Sequence, residues 1–163
     1  MSEQAQQPSD DAAAPQAIFS IEKVYVKDMS LEVPGAPAVY LANEQPQIEV
    51  NIHNGASVVE PGALYEVVLT ATVTARVAER TIFLVEVAQA GLFHIRNLPP
   101  QELDAVLGIL CPTTLLAYAR EAVSSAVSRA GFPPVVLQHM DFNQAYMQAQ
   151  QQRGEPPTPS QVN

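Results

Sequence analysis

The chain has 163 residues, of which 17 are acidic and 8 are basic, and its net charge is −9 at pH 7. This balance argues against nucleic-acid binding, because Lys and Arg are needed to neutralise phosphates. It favours either a basic partner or simply solubility. Only 15% of the residues are charged, against about 25% in an average soluble domain, so we expect other subunits or a ligand to cover part of the apolar surface.

Both ends of the chain are predicted to be disordered, and the middle is predicted to form one domain. Residues 1–16 are rich in Gln, Ala, Asp and Pro, and residues 153–163 contain three prolines, which leaves residues 17–152 as the domain. The N-terminus lacks a basic segment followed by an apolar one. No apolar run approaches the ~20 residues that a membrane span needs, so we expect a cytoplasmic protein without direct membrane insertion.

The first half of the domain has the pattern of strands. A first, edge-type strand begins at Ile18 and ends before Pro34 and Gly35. In a regular strand, one face of this segment would carry Ile18, Val24 and Val26, and the other would carry Phe19, Ile21, Tyr25, Met29, Leu31 and Val33. Strands over 47–53 and 65–77 alternate between apolar and polar residues, and a loop is expected between them around Asn54, Gly55, Pro61 and Gly62.

The fourth predicted strand, residues 81–89, is apolar at successive positions. Such a strand is either central and covered on both faces or part of a contact between subunits, and we favour the contact. A helix further along is rich in small residues, which permit close packing between helices. We therefore expect an oligomer interface formed by Val85, Val87, Gln89, Ala119, Val123 and Ala126.

From residue 99 onwards the apolar residues recur with helical spacing. A short helix is predicted over 99–110, and Pro112 is placed to begin a longer one that ends at Gly131. Asp141 is placed to cap a last helix. The predicted fold class is α+β, with a four-stranded antiparallel sheet and helices packed on one of its faces.

The sequence contains little that predicts catalysis or metal binding. His53, His94 and His139 are isolated in sequence and fit no zinc-binding spacing. Cys111, the single cysteine, lies in an apolar run and is expected to be buried and unreactive. The glycines are scattered and form no phosphate-binding loop. We therefore expect no cofactor, no metal and no enzymatic activity.

Two groups of residues remain as candidate sites. The first is acidic: Asp28 and Glu32 share one strand face, and Glu86 with Leu84 is expected beside them. It is either a solvated surface or a docking face. The second group is apolar and aromatic, and it either fills the core or lines a groove for an extended chain: Tyr40, Phe132, Val135, Leu137, Phe142 and Tyr146.

Several segments, taken in order, resemble the SecB family of bacterial protein-export chaperones. They are FSIEKVYVKDMSLEVPGAP (19–37), YEVVLTATVTA (65–75), TIFLVEVAQAGLF (81–93), ILCPTTLLAYAREAVSSAVSRAGFPPVVL (109–137) and DFNQAYMQAQQQ (141–152). The similarity spans about residues 18–152, and matches in register across a whole domain are far more specific than one short motif. A tryptophan often found in the family near residues 40–46 is absent, since this chain has none.

The resemblance implies an ATP-independent chaperone that holds unfolded precursor proteins and delivers them to SecA, the motor of the export channel. It implies a homotetramer, a dimer of dimers, with the long helix central and the sheets outward. The residues that match the family's SecA-docking surface are Asp28, Glu32, Leu84 and Glu86, and SecA presents a basic zinc-binding segment at its C-terminus. Two alternatives remain open: a small oligomeric ligand-binding module or enzyme, and a SecB-like chaperone dedicated to another partner.

Overall fold

The computed structural model describes residues 15–154, so the predicted disordered extension and tail lie almost entirely outside the described residues. Regular structure covers most of this range. The elements in chain order are β1 (Ile18–Glu32), a 3₁₀ turn (Ala38–Tyr40), β2 (Gln47–Glu60), β3 (Leu64–Val77), β4 (Arg80–Arg96), α1 (Pro100–Ala105), a π-helical turn (Val106–Leu110), α2 (Cys111–Arg129) and α3 (Phe142–Gly154).

The four strands form one antiparallel sheet in the order β1-β4-β3-β2. Helix α2 packs across β3 and β4, so one face of the sheet, here called the helix face, carries the core, and the other is here called the open face. This arrangement confirms the predicted α+β fold class. Strand β2 runs through the first part of the predicted loop, because Asn54 and Gly55 pair with β3, whereas the turn expected at Pro61 and Gly62 is present.

The two helices predicted over 99–130 form one continuous helix that spans Pro100 to Arg129. Pro112 does not separate them, because the wider π-helical turn before it accommodates a residue that has no N–H to donate. Thr113 and Thr114 donate their hydroxyl groups to the carbonyls of Ile109 and Leu110, at 2.5 and 2.9 Å. In the described part of the chain, this is the one helix long and apolar enough to cross a membrane, and it serves as the core helix of the fold.

The six residues predicted to form an oligomer interface lie inside one protomer instead. Strand β4 is central, and α2 covers its helix face, which explains the burial of Val85 and Val87 without a second subunit. None of the six exposes more than 6% of its surface: Val85, Val87, Gln89, Ala119, Val123 and Ala126. Side chains with so little free surface cannot form a contact with a partner, so this prediction is corrected.

Two β-bulges in β1 change the predicted assignment of its faces. The pairing with β4 shifts between Ile21 and Lys23 and again between Val26 and Asp28. Each extra residue reverses the alternation of side chains, so that Tyr25 lies on the open face while Val24 and Val26 lie on the helix face. Beyond the second bulge the alternation returns to the predicted one.

The predicted ends of the helices are confirmed. Gly131 follows α2 with a φ of 85°, and the amide of Phe132 donates to the carbonyl of Val127 in a C-terminal cap. Asp141 caps α3 through its Oδ1 atom, which accepts from the amides of Asn143 and Gln144 at 3.0 and 3.2 Å. Helix α3 continues through Arg153 and Gly154, two residues beyond the predicted end of the domain.

Candidate functional site

A long groove runs along strand β2, on the helix face of the sheet. Its opposite wall is the crossover segment, residues 131–141, which joins α2 to α3 without regular structure. Three adjoining cavities of about 430, 560 and 620 Å³ make up the groove. The first and second share Ile48, Pro134 and Val135, and the second and third share Ile52 and Met140, so the three form one continuous depression.

Apolar side chains of β2 form the floor of the groove. Ile48, Val50 and Ile52 point to the helix face, where they pair with Ala75, Val73 and Ala71. Helix α2 stops short of β2, which leaves Val50 42% exposed. The groove follows β2 from residue 48 to residue 56. At ~3.4 Å per residue, this length matches about eight residues of extended polypeptide.

The backbone beside the groove has free hydrogen-bonding groups. Strand β2 is an edge strand, and it pairs on one side only, with β3. Among residues 15–154, no backbone hydrogen bond joins β2 to the crossover segment. The outer N–H and C=O groups of β2 can therefore pair with another extended chain.

One end of the groove is aromatic. The Tyr40 ring stacks on Phe132 with centroids 5.3 Å apart, and Phe132 packs in turn against Phe83 at 4.9 Å. The Tyr40 hydroxyl donates to the carbonyl of Ala130 at 2.7 Å, yet 48% of the residue stays exposed. The structure thus brings three predicted groove residues, Tyr40, Phe132 and Val135, to this end.

The other end of the groove is polar. The Tyr146 hydroxyl donates to Oδ2 of Asp104 at 2.7 Å, and Gln150 Nε2 donates to both groups. The hydrogen bond to Asp104 raises the pKa of Tyr146. The Tyr146 ring lies directly over Gly108 in the π-helical turn, where a Cβ atom would approach the ring to 2.7 Å. These contacts hold α3 against the π-helical turn.

Two of the predicted groove residues belong to the core instead. Leu137 is 1% exposed and Phe142 is 4% exposed, so neither has the surface to bind a client, although Phe142 closes the bottom of the third cavity. Arg120 of α2 donates from Nε to the carbonyl of Leu137 at 2.7 Å, which fixes the crossover segment at this point.

The main part of the groove has no signal in the sequence. Ile48, Val50 and Ile52 have the alternation of an ordinary half-buried strand, and Met140 has no distinctive pattern. The strand order places β2 at the edge of the sheet, beyond the reach of α2. No local pattern in the sequence marks that position.

The acidic residues lie together on the open face. Strand pairing places Glu32 opposite Leu84 and Ser30 opposite Glu86, with Asp28 two pairs further along, opposite Ala88. The Thr72 hydroxyl donates to Glu86 at 3.1 Å. Glu49 of β2, which the sequence did not single out, adds a further carboxylate on this face.

The four predicted residues and Glu49 therefore form a shared surface, here called the acidic face. Glu49 is three strands away from Glu32, because Glu49 pairs with Thr74 of β3, Thr74 pairs with Leu84 of β4, and Leu84 pairs with Glu32 of β1. Arg76 lies at the same end of β3 and is exposed.

Burial makes the thiol of Cys111 chemically inert. The side chain is fully buried, and desolvation raises its pKa to about 12. At neutral pH the reactive thiolate form is therefore almost absent. Within residues 15–154, no three His, Cys, Asp or Glu side chains form a group that could hold a metal ion.

Comparison with known proteins decides the family. Residues 12–153 match the family described as preprotein translocase subunit SecB. The chain belongs to the SecB family. The protein-export protein SecB of Dechloromonas aromatica is 55% identical over 142 residues, which cover 86% of this chain and 93% of that one. The SecB of Azoarcus sp. is 57% identical over 136 residues, or 83% and 89% of the two chains.

A solved structure supports the same fold. The SecB-like chaperone of Mycobacterium tuberculosis, in complex with a ChAD peptide from the HigA1 antitoxin, matches with a TM-score of 0.62. The two chains are 16% identical, and the match covers 75% of this chain and 90% of that one. Membership of the SecB family makes this protein a chaperone for preprotein export, which binds client polypeptides, rather than an enzyme.

Proposed function

We propose that the groove along β2 holds extended segments of unfolded precursor proteins in the cytoplasm and keeps them competent for export. A single observation carries this proposal: an open apolar floor lies directly beside the unpaired backbone edge of β2. The floor would bury client side chains of any apolar type, and the edge would bind client backbone. Neither contact reads a sequence, which suits a chaperone with many clients.

The energetics fit reversible binding without nucleotide. At ~25 cal/mol per Å² of apolar surface, burial of several client side chains offsets the cost of ordering an extended segment. Binding then opposes folding of the client by mass action, since the groove accepts the unfolded chain only. The aromatic end, with Tyr40 and Phe132, would take large side chains, and the polar end near Asp104 would stay hydrated.

We propose the acidic face as the docking surface for SecA. Asp28, Glu32 and Glu86 carry exposed carboxylates on the same face as the apolar side chain of Leu84, and Glu32 lies directly opposite Leu84. Their charge complements the basic C-terminal segment of SecA. This face lies on the opposite side of the sheet from the groove. One subunit could therefore hold a client and contact SecA at the same time.

We propose that the chain assembles as a homotetramer, a dimer of dimers. The helix face of β1 supports this proposal, because α2 leaves most of it uncovered and five of its apolar residues are 39% to 53% exposed: Phe19, Ile21, Val26, Met29 and Leu31. Within the described part of the chain, β1 also has an unpaired edge. A second copy laid along this stripe would cover both the apolar surface and the edge.

The groove is tested by a pair of variants at neighbouring positions. Val50→Ser shortens an apolar side chain on the groove floor, whereas Asn51→Ser changes the next residue, which points to the open face. Val50→Ser should lose about 1 kcal/mol of binding free energy from apolar burial, so it should bind an unfolded client roughly fivefold more weakly. Asn51→Ser should bind the client as the native protein does. The readout is the delay in refolding of an unrelated denatured protein, without nucleotide. Equal effects of the two variants would contradict the proposed groove.

A further inference from the structure

Strand β1 carries one extra residue just before the acidic face. Val26 pairs with Gln89 and Asp28 pairs with Ala88, so Lys27 has no partner of its own in β4. Without this bulge, strand alternation would turn Asp28 and Glu32 towards the helix face. A slip of one residue reverses every side chain of a strand, so the bulge decides on which face these carboxylates appear.

Two residues of neighbouring strands hold this bulge, one from each face of the sheet. On the helix face, Gln89 is buried, and its Nε2 donates to the backbone carbonyl of Tyr25 at 2.9 Å. On the open face, Glu66 accepts from the Tyr25 hydroxyl and from Lys27 Nζ, the latter at 2.7 Å. The residues before and within the bulge are thus fixed from both sides.

The charge state of the open-face contact agrees with this geometry. The ammonium of Lys27 and the hydroxyl of Tyr25 lower the pKa of Glu66, which stays ionised. The same contact raises the pKa of Tyr25 to about 12, so the hydroxyl keeps its proton. A protonated donor and an ionised acceptor form a charge-assisted hydrogen bond across the central strand β4.

We propose that Gln89 and Glu66 are positioning residues that pin the bulge at Lys27 and thereby set the acidic face beside Glu86. Without them, residues 28–32 slip by one along β4. Met29 then stands opposite Glu86, and Asp28 and Glu32 turn to the helix face. The expected loss of SecA binding rests on the proposed function, whereas the change in pairing between β1 and β4 does not. Gln89 has this role although its side chain is buried in the core of the protomer.

The test compares three forms of the full-length protein by cross-strand nuclear Overhauser effects. In the double variant Gln89→Met/Glu66→Ala, we expect the Ser30–Glu86 backbone contact to be replaced by a Met29–Glu86 contact. Deletion of Lys27 in the same background removes the extra residue, so the native pairing should return without the two contacts. Glu22→Ala, at the extra residue of the first bulge, is the control and should keep the native pairing.

The outcomes separate this inference from the proposed function. Native pairing in the double variant would overturn the inference, whatever happens to SecA binding. Should the double variant not fold, the Lys27 deletion in that background decides: recovery of folded protein with native pairing supports the inference, and no recovery overturns it. We expect at least tenfold weaker SecA binding in the slipped form, restored by the deletion. A slip that leaves SecA binding unchanged would contradict the docking proposal but not the role of the two residues.

Discussion

Neighbouring residues of this chain face different surroundings because the sheet alternates between two faces. Val50 points into the groove and Asn51 points to the open face, although both lie in the same edge strand. Glu86 lies on the acidic face, whereas Val85 and Val87 on either side of it are fully buried under α2. Substitutions at adjacent positions therefore test different proposed functions.

The acidic face is tested at Glu86. Glu86→Lys places a cation between Asp28 and Glu32, so the attraction for a basic segment falls and SecA affinity should drop at least tenfold. Exposed charges are screened over ~10 Å at 0.1 M salt, so the remaining binding should depend less on salt than in the native protein. Calorimetric titration at two salt concentrations measures both effects.

The matched control for this substitution is Glu60→Lys. Glu60 pairs with Leu64 at the opposite end of the sheet, so the net charge changes equally but the acidic face stays intact. Client binding should be the same in both variants. If Glu60→Lys weakens SecA binding as much as Glu86→Lys, net charge rather than the acidic face governs the association.

The buried thiol predicts a loss of stability at alkaline pH. The pKa of Cys111 is about 12 in the folded chain, against 9.0 as the ordinary value. Below pH 9 the thiol is protonated in both states. Between about pH 9 and 12 only the unfolded chain releases the proton, so the free energy of unfolding falls by up to about 1.4 kcal/mol per pH unit. Denaturant unfolding of the native protein and of Cys111→Ala, repeated across this pH range, measures the contribution of the thiol. If the free energy of unfolding falls equally with pH in both proteins, the prediction is wrong.

At the scale of elements, the sequence predicted the order and type of the four strands and of the α-helices, but not the joins between them. Alternation and caps depend on local residues, which is why β1 to β4 and the cap at Asp141 were predictable. The bulges of β1 were not, because they depend on contacts with Gln89 and Glu66 in other strands. The continuous helix through Pro112 was missed because a π-helical turn leaves no clear mark in sequence.

The π-helical turn also positions α3. Gly108 faces the Tyr146 ring so closely that a Cβ atom would lie 2.7 Å from it. Gly108→Ala should therefore displace α3 and destabilise its packing by about 1–3 kcal/mol. Hydrogen exchange of the α3 amides should become faster, while the sheet amides stay unchanged.

Gly154→Ala, where a Cβ meets no atom within 4 Å, is the control for this substitution. It should leave exchange in α3 at the native rate or slightly slower, since Ala is the better helix former. Unchanged α3 exchange in Gly108→Ala would show that the ring moves aside at little cost.

At the scale of the whole molecule, the fold of residues 15–154 leaves both edges of the sheet uncovered. Helix α2 covers β3 and β4, while β1 and β2 each present apolar side chains and a free backbone edge. The sequence predicted that apolar surface needs a cover, but it assigned the subunit contact to β4. The error has a physical cause. Apolar residues at successive positions of a strand indicate that the strand is buried, but they do not indicate whether the same chain or a second subunit buries it.

The assembly is tested at the exposed stripe of β1. Met29→Asp places a charge within this stripe, where a subunit contact would leave it unpaired at a cost of several kcal/mol. Light scattering of the native protein should give four times the mass of the 17.6 kDa chain. The variant should give a smaller assembly, whereas Ser30→Asp, on the open face, should not. A native protein that is monomeric at micromolar concentration would contradict the assembly.

The central claim is that an unfolded client lies in the groove and extends the sheet at β2. Its most direct test is hydrogen exchange of the native protein with and without a bound unfolded client. Amides of β2 between residues 48 and 56, together with those of the crossover segment, should exchange at least tenfold more slowly when the client is bound. The amides of β1 should not change. Protection confined to β1, or none at β2, would contradict the account.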